Sequence, residues 1–73
     1  MTRDEHIGHK ITVRRAVLRI NQVELARRIG VVQSYISMLE RGDRPISDDL
    51  LQRIAAALEC KPEYLLREFE DVA

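Results

Sequence analysis

Asn21-Gln22-Val23-Glu24-Leu25-Ala26-Arg27-Arg28-Ile29-Gly30-Val31-Val32-Gln33-Ser34-Tyr35-Ile36-Ser37-Met38-Leu39-Glu40-Arg41-Gly42 reads as two short helices, from about Gln22 to Ile29 and from about Gln33 to Arg41, joined by a tight turn. Asn21 offers a side-chain acceptor where the first of them begins, the usual chemistry of a helix N-cap. Gly30 stands where the chain must turn sharply and a positive φ is easy for glycine, and Gly42 stops the second helix in the same way. Ala26 is small where two helices must approach closely, and Leu25, Ile29, Val31, Ile36 and Leu39 supply the apolar pins of the crossing. Gln33, Ser34 and Ser37 share the opposite, polar side of the second helix.

Working outward, three further helices are predicted. The chain's first runs from about Ile7 to Arg19, with Ile7, Ile11 and Leu18 on one stripe and Val13 and Val17 on a lateral one. The fourth runs from about Asp48 to Leu58; Ser47 caps it, Asp48 and Asp49 suit its positive end, and Leu51, Ile54, Ala55 and Leu58 face inward. The fifth begins at Pro62, a good first helical residue, and carries Leu65, Leu66 and Phe69. Val32 and Lys61 stand at cap positions without a capping side chain, and Glu59 follows the fourth helix where glycine often stops one. No alternating β-branched run marks a strand. The expected fold is all-α, a compact five-helix domain covering residues 1–73, with the two-helix unit at 22–41 and the last two helices at about 48–70.

Seventy-three residues allow one core. A hydrophobic content of 45% is that of an ordinary globular chain. No apolar run approaches the roughly 20 residues that cross a bilayer, and the first residues do not lead into a secretory segment. Cys60 is alone, which suits a reducing cytoplasm and leaves no cysteine metal site. His6 and His9 stand three apart with no further ligand nearby, so no metal and no cofactor is expected. Neither paired carboxylates, a nucleophile with a placed base, nor a phosphate-cradling loop points to an enzyme. Formal net charge is zero, but the distribution is uneven. From Lys10 to Arg44, eight basic residues meet three acids, whereas from Pro45 to Ala73 three basic residues meet seven acids. The basic part coincides with the two-helix unit, a field that would orient it toward phosphates.

Two short helices crossing at a tight turn form a helix-turn-helix, whose second helix lies in the major groove of duplex DNA. The residues from Asn21 to Gly42, followed by Leu50-Leu51, Ile54-Ala55 and Leu58, resemble the lambdoid-phage-repressor family of small regulators, the Cro/C1 or XRE type, over about Ile7 to Leu66. The resemblance implies a λ-repressor-like five-helix domain that binds operator DNA, usually as a dimer. It implies base contacts from Gln33 and Ser34 at the opening of the recognition helix, in accord with the ability of a glutamine amide to pair with adenine N6 and N7. Ser37 and Met38, one turn further, are additional base-contact candidates. Gln22 would reach a phosphate and brace the next helix's glutamine, and Asn21, Tyr35, Arg41 and Arg44 are the other phosphate candidates. Tyr35 is assigned first to packing against the second helix, and Arg27 and Arg28 are weaker phosphate candidates. The resemblance makes Arg15 and Glu40 a structural ion pair between the first and third helices.

The expected function is sequence-specific recognition of double-stranded DNA by a cytoplasmic transcriptional regulator, a homodimeric repressor on an inverted repeat. Its dimer face is expected on Tyr64, Leu65, Leu66 and Phe69, with the Val13/Val17 stripe as the rival surface. The alternative is a restriction–modification controller protein or an antitoxin, a protein-interaction module that also represses its own promoter. Toxin or RNA polymerase would then be a protein partner, and no membrane is involved.

Overall fold

A computed structural model of the chain describes residues 1–67. Five helices follow in order: α1 Arg3–Leu18, α2 Gln22–Ile29, α3 Gln33–Arg41, α4 Asp48–Ala57 and α5 Pro62–Leu66. No strand occurs among the described residues. α1 starts four residues before the expected Ile7. Thr2 caps it: the threonine side chain accepts from Glu5 N, and the Glu5 side chain accepts from Thr2 N at 2.8 Å. This reciprocal capping box fixes the first turn ahead of the apolar stripe.

The other ends follow local chemistry. Asn21 and Ser47 accept from Glu24 N and Leu50 N and cap α2 and α4. Gly30 (φ 86°) and Gly42 (φ 76°) end α2 and α3 in the left-handed region. Glu59 adopts φ 58° after α4 without being a glycine, and the carbonyls there are met from outside. Arg14 Nε donates to Leu58 O, Arg14 Nη2 to Glu59 O, and Arg28 Nη1 to Ala57 O, each at 3.0 Å. Arg53 Nη2 donates to Ile29 O at the end of α2 in the same manner. Arginines reaching from neighbouring helices thus satisfy carbonyls that a helix cannot pair internally.

α1 packs on α3 and α5, α2 on α3 and α4, and α4 on α5. The core between them is Ile7, Ile11, Leu25, Ala26, Ile29, Ile36, Leu39, Leu51, Ile54, Ala55, Leu58 and Leu65, closed by Ile46 from the α3–α4 loop. Gly8 is buried where α1 meets α3: a Cβ there would lie 2.4 Å from Leu39 O. Val13 and Val17 stay exposed on the outer face of α1. No buried side-chain nitrogen or oxygen among the described residues lacks a hydrogen-bond partner.

Val32 precedes α3 with no side-chain cap, and it is 68% exposed. Val32→Ser is therefore expected to stabilise the fold by about 1 kcal/mol through a cap on α3, read as a higher urea midpoint. An unchanged or lower midpoint would mean that the valine makes packing contacts its exposure conceals.

Candidate nucleic-acid interface

The centre of the helix-turn-helix is polar. Glu40, on the last turn of α3, turns back toward α1 and α2, with 8% of its side chain exposed. Its carboxylate accepts from Arg15 Nε at 2.6 Å and Arg15 Nη2 at 3.0 Å, a two-pronged pair. It also accepts from Thr12 Oγ1 at 2.9 Å and Gln22 Nε2 at 3.0 Å. Burial raises the Glu40 pKa, but the donated hydrogen bonds, foremost those from Arg15, outweigh it and hold the carboxyl below its ordinary value. The hydrogen bond to Glu40 raises the Arg15 pKa. The two side chains therefore join α1 to α3 from the inside of the unit.

Gln22 carries this network outward. Its Nε2 meets Glu40, and its Oε1 accepts from Gln33 Nε2 at 2.9 Å. The first residues of α2 and α3 are thereby joined side chain to side chain across the turn. Gln33 and Ser34 lie exposed at the N-terminus of α3, beside exposed Val32. One turn on, Ser37 and Met38 are half-buried, and Ser37 Oγ accepts from Arg41 Nη1 at 2.7 Å.

The loop after α3 carries the basic side chains that flank this helix. Arg41 Nε also donates to Asp43 at 2.9 Å, and the Arg44 guanidinium lies 5.7 Å from the centre of the Tyr35 ring. Tyr35 is half-buried and lines a cleft with Pro45 and Ile46 of the α3–α4 loop and Leu50 of α4. Its ring packs against the hydrophobic core. Asn21 Oδ1 is engaged by Glu24 N at 2.8 Å, which leaves the Nδ2 group for any outside acceptor.

Counting charge along the chain overstated the basic face. Arg14, Arg15 and Arg28 belong to the eight basic residues between Lys10 and Arg44, yet they serve helix ends and Glu40. Arg27 and Arg28 both clamp Glu24, and their hydrogen bonds, Arg27's first, hold its pKa at about 2. Sequence reasoning named Arg27 and Arg28 as weaker phosphate candidates and gave Arg14 no role, because spacing does not reveal which helix end lies opposite.

The residues expected at a dimer face divide. Leu65 is fully buried in the core of the single chain and offers no outer surface. Leu66 and Tyr64 are half-buried, and the Tyr64 ring is surrounded by Lys10, Arg14 and Arg67 at 5.2 to 5.7 Å. Phe69 lies outside the described residues. His6 is buried with Nε2 2.7 Å from Arg67 O, while His9 is exposed. The described residues contain no group of three metal-ligating side chains. Cys60 is half-buried, and burial raises its thiol pKa.

Residues 14–65 match the helix-turn-helix family model. A transcriptional regulator from the ATPase CF(0) region of Rhodospirillum rubrum is 40% identical over 67 residues, covering 92% of this chain and 62% of that protein. Repressor protein C2 of Salmonella phage P22 is 36% identical over 61 residues, covering 84% of this chain and 28% of the repressor. The structure of its DNA-binding domain superposes with a TM-score of 0.79 at 35% identity, covering 85% of this chain and 82% of that domain. The clp gene regulator ClgR from C. glutamicum superposes with a TM-score of 0.90 at 29% identity, covering 99% and 94% of the two chains. The chain thus spans less than two thirds of the length of these two curated relatives.

Proposed function

Starting from the membership of this chain in the helix-turn-helix family of transcriptional regulators, we propose that it is a homodimeric, sequence-specific repressor of an inverted-repeat operator in double-stranded DNA. The role is one of binding rather than catalysis, and it places the protein in the cytoplasm with the DNA. The observation that carries the reading is the Gln33–Gln22–Glu40 chain of hydrogen bonds. It holds an exposed glutamine in a fixed position on the first turn of α3, the end of a recognition helix that meets base edges.

In this reading Gln33 and Ser34 contact bases, and Ser37 and Met38 extend the contact one turn further. Gln22, the Nδ2 group of Asn21, Tyr35, Arg41 and Arg44 meet phosphates on either side. Arg41 would share or exchange its present bonds to Ser37 and Asp43 on binding. Two copies joined along α5, through Tyr64 and Leu66, would set recognition helices about 34 Å apart, one turn of duplex. The partner is a second copy of the chain, and repression follows from excluding RNA polymerase at the occupied site.

Selection of the full chain on a random duplex library at about 150 mM salt, where non-specific phosphate binding is suppressed, tests the proposal. The expected product is an inverted repeat with half-sites about 10–11 base pairs apart. Gln33→Ala is expected to lower discrimination at one base pair of each half-site by about 1–3 kcal/mol, with other positions unchanged. A folded wild-type protein that enriches no sequence would overturn the proposal.

A further inference from the structure

We propose that Glu40, whose side chain is 8% exposed and engaged by α1 and α2, is a positioning residue that sets which way round the Gln33 amide is presented to a base. The inference rests on the base-reading role given to Gln33 above. An ionised carboxylate has lone pairs and no proton to donate. Glu40 is in that form, held by the two-pronged bond from Arg15. Any group facing it must be a donor, so Gln22 has to direct Nε2 to Glu40 and Oε1 away from it. That oxygen can only accept, so Gln33 has to direct Nε2 back to Gln22. The orientation of both amides follows from the charge on Glu40, without reference to DNA.

The consequence appears at the exposed end. Gln33 keeps Oε1 and its second Nε2 hydrogen for an outside partner, each on a defined side of the amide plane. This one-acceptor, one-donor pair fits the N6 amino group and N7 of an adenine edge. Were the amide reversed, its nitrogen would point outward with two hydrogens, and donor and acceptor would exchange places. The same adenine would then meet donor against donor. Two interconverting orientations would also have to be reduced to one on binding, a loss that a preset relay avoids. The Arg15–Glu40 pair therefore does more than hold α1 to α3: it gives the glutamine relay its direction.

Glu40→Gln tests this, because a carboxamide of nearly the same shape can donate as well as accept and releases both glutamines to turn. The double variant Arg15→Met/Glu40→Gln accompanies it, since the single variant leaves a guanidinium without its counter-charge. Adenine preference at the position read by Gln33 is expected to fall about tenfold, while preferences at other positions and the salt dependence of binding stay as in the wild type. In the free wild-type protein, NMR is expected to show one set of Gln33 carboxamide signals with one slowly exchanging Nε2 proton. In the variants it should show averaged or doubled signals.

An unchanged adenine preference in a folded variant overturns the inference and leaves the DNA-reading function standing. So does a wild-type Gln33 amide with no retarded proton, a measurement that needs neither variant nor DNA. A wild-type chain that selects no duplex overturns the function itself and this inference with it.

Discussion

Glu40→Ala is expected to cost about 3–5 kcal/mol of folding stability, the penalty for removing one partner of a buried ion pair. Arg15 would keep one hydrogen bond, from Nη1 to Ile20 O at 3.1 Å, and lose both bonds to the carboxylate. Its side chain is 16% exposed, so water replaces those bonds poorly. Thr12 and Gln22 would lose the same acceptor. The loss is large beside the roughly 4–10 kcal/mol that holds a chain of this length together, so the variant should be partly unfolded at 37 °C. Equilibrium urea unfolding at pH 7 measures it, and a loss under about 1 kcal/mol would show that the pair behaves as an exposed one.

The same carboxylate sets part of the acid response. The folded-state pKa of Glu40 lies below its ordinary 4.5. Between the two values the unfolded chain binds more protons than the folded one, so stability falls as pH falls through that window. Glu24, held at about 2 by Arg27 and Arg28, acts in the same direction as pH falls from its ordinary value toward 2. Glu40→Ala should therefore lower stability at pH 7 and also flatten its decline below pH 4.5, while leaving the contribution of Glu24.

Much of the helix-turn-helix was legible because its determinants are short-range. Asn21, Gly30 and Gly42 act within one turn of where they stand: the Asn21 side chain begins α2, and the positive φ open to glycine ends α2 and α3. The inner face of α4 followed from periodicity, and Leu51, Ile54, Ala55 and Leu58 are all buried. The Arg15–Glu40 pair came from family resemblance, since nothing local joins residues on α1 and α3. The early start of α1 was present as Thr2-x-x-Glu5 but was hidden by an apolar stripe that begins later. Leu65 and Leu66 could not be told apart, because a five-residue helix is too short for periodicity to separate inside from outside. Nor does spacing reveal that Arg14, Arg28 and Arg53 close helix ends. That depends on carbonyls brought near them by the packing of other helices.

Gly8→Ala separates the local from the tertiary account most sharply, because the two predict opposite signs. Glycine inside a helix costs about 1 kcal/mol relative to alanine, so α1 alone would gain from the change. In the folded chain the added Cβ would stand 2.4 Å from Leu39 O, 2.7 Å from Glu40 O and 2.9 Å from Glu40 C. These are backbone atoms of α3 and cannot rotate aside, and Arg15–Glu40 resists their retreat. Overpacking of this kind costs about 1–3 kcal/mol and at times more, so a net loss of about 2 kcal/mol is expected. The damage should also reach function, because shifting α3 moves Glu40 relative to Gln22 and loosens the hold on Gln33. Gly30→Ala is the control: its Cβ would meet nothing within 4 Å, leaving only the cost of φ 86°, about 1–2 kcal/mol. Comparing urea midpoints and selected base preferences of the two variants gives the test. A Gly8→Ala protein as stable as the wild type would mean that α1 and α3 do not meet as closely as the structure has them, and the polar centre built on their contact would lose its frame.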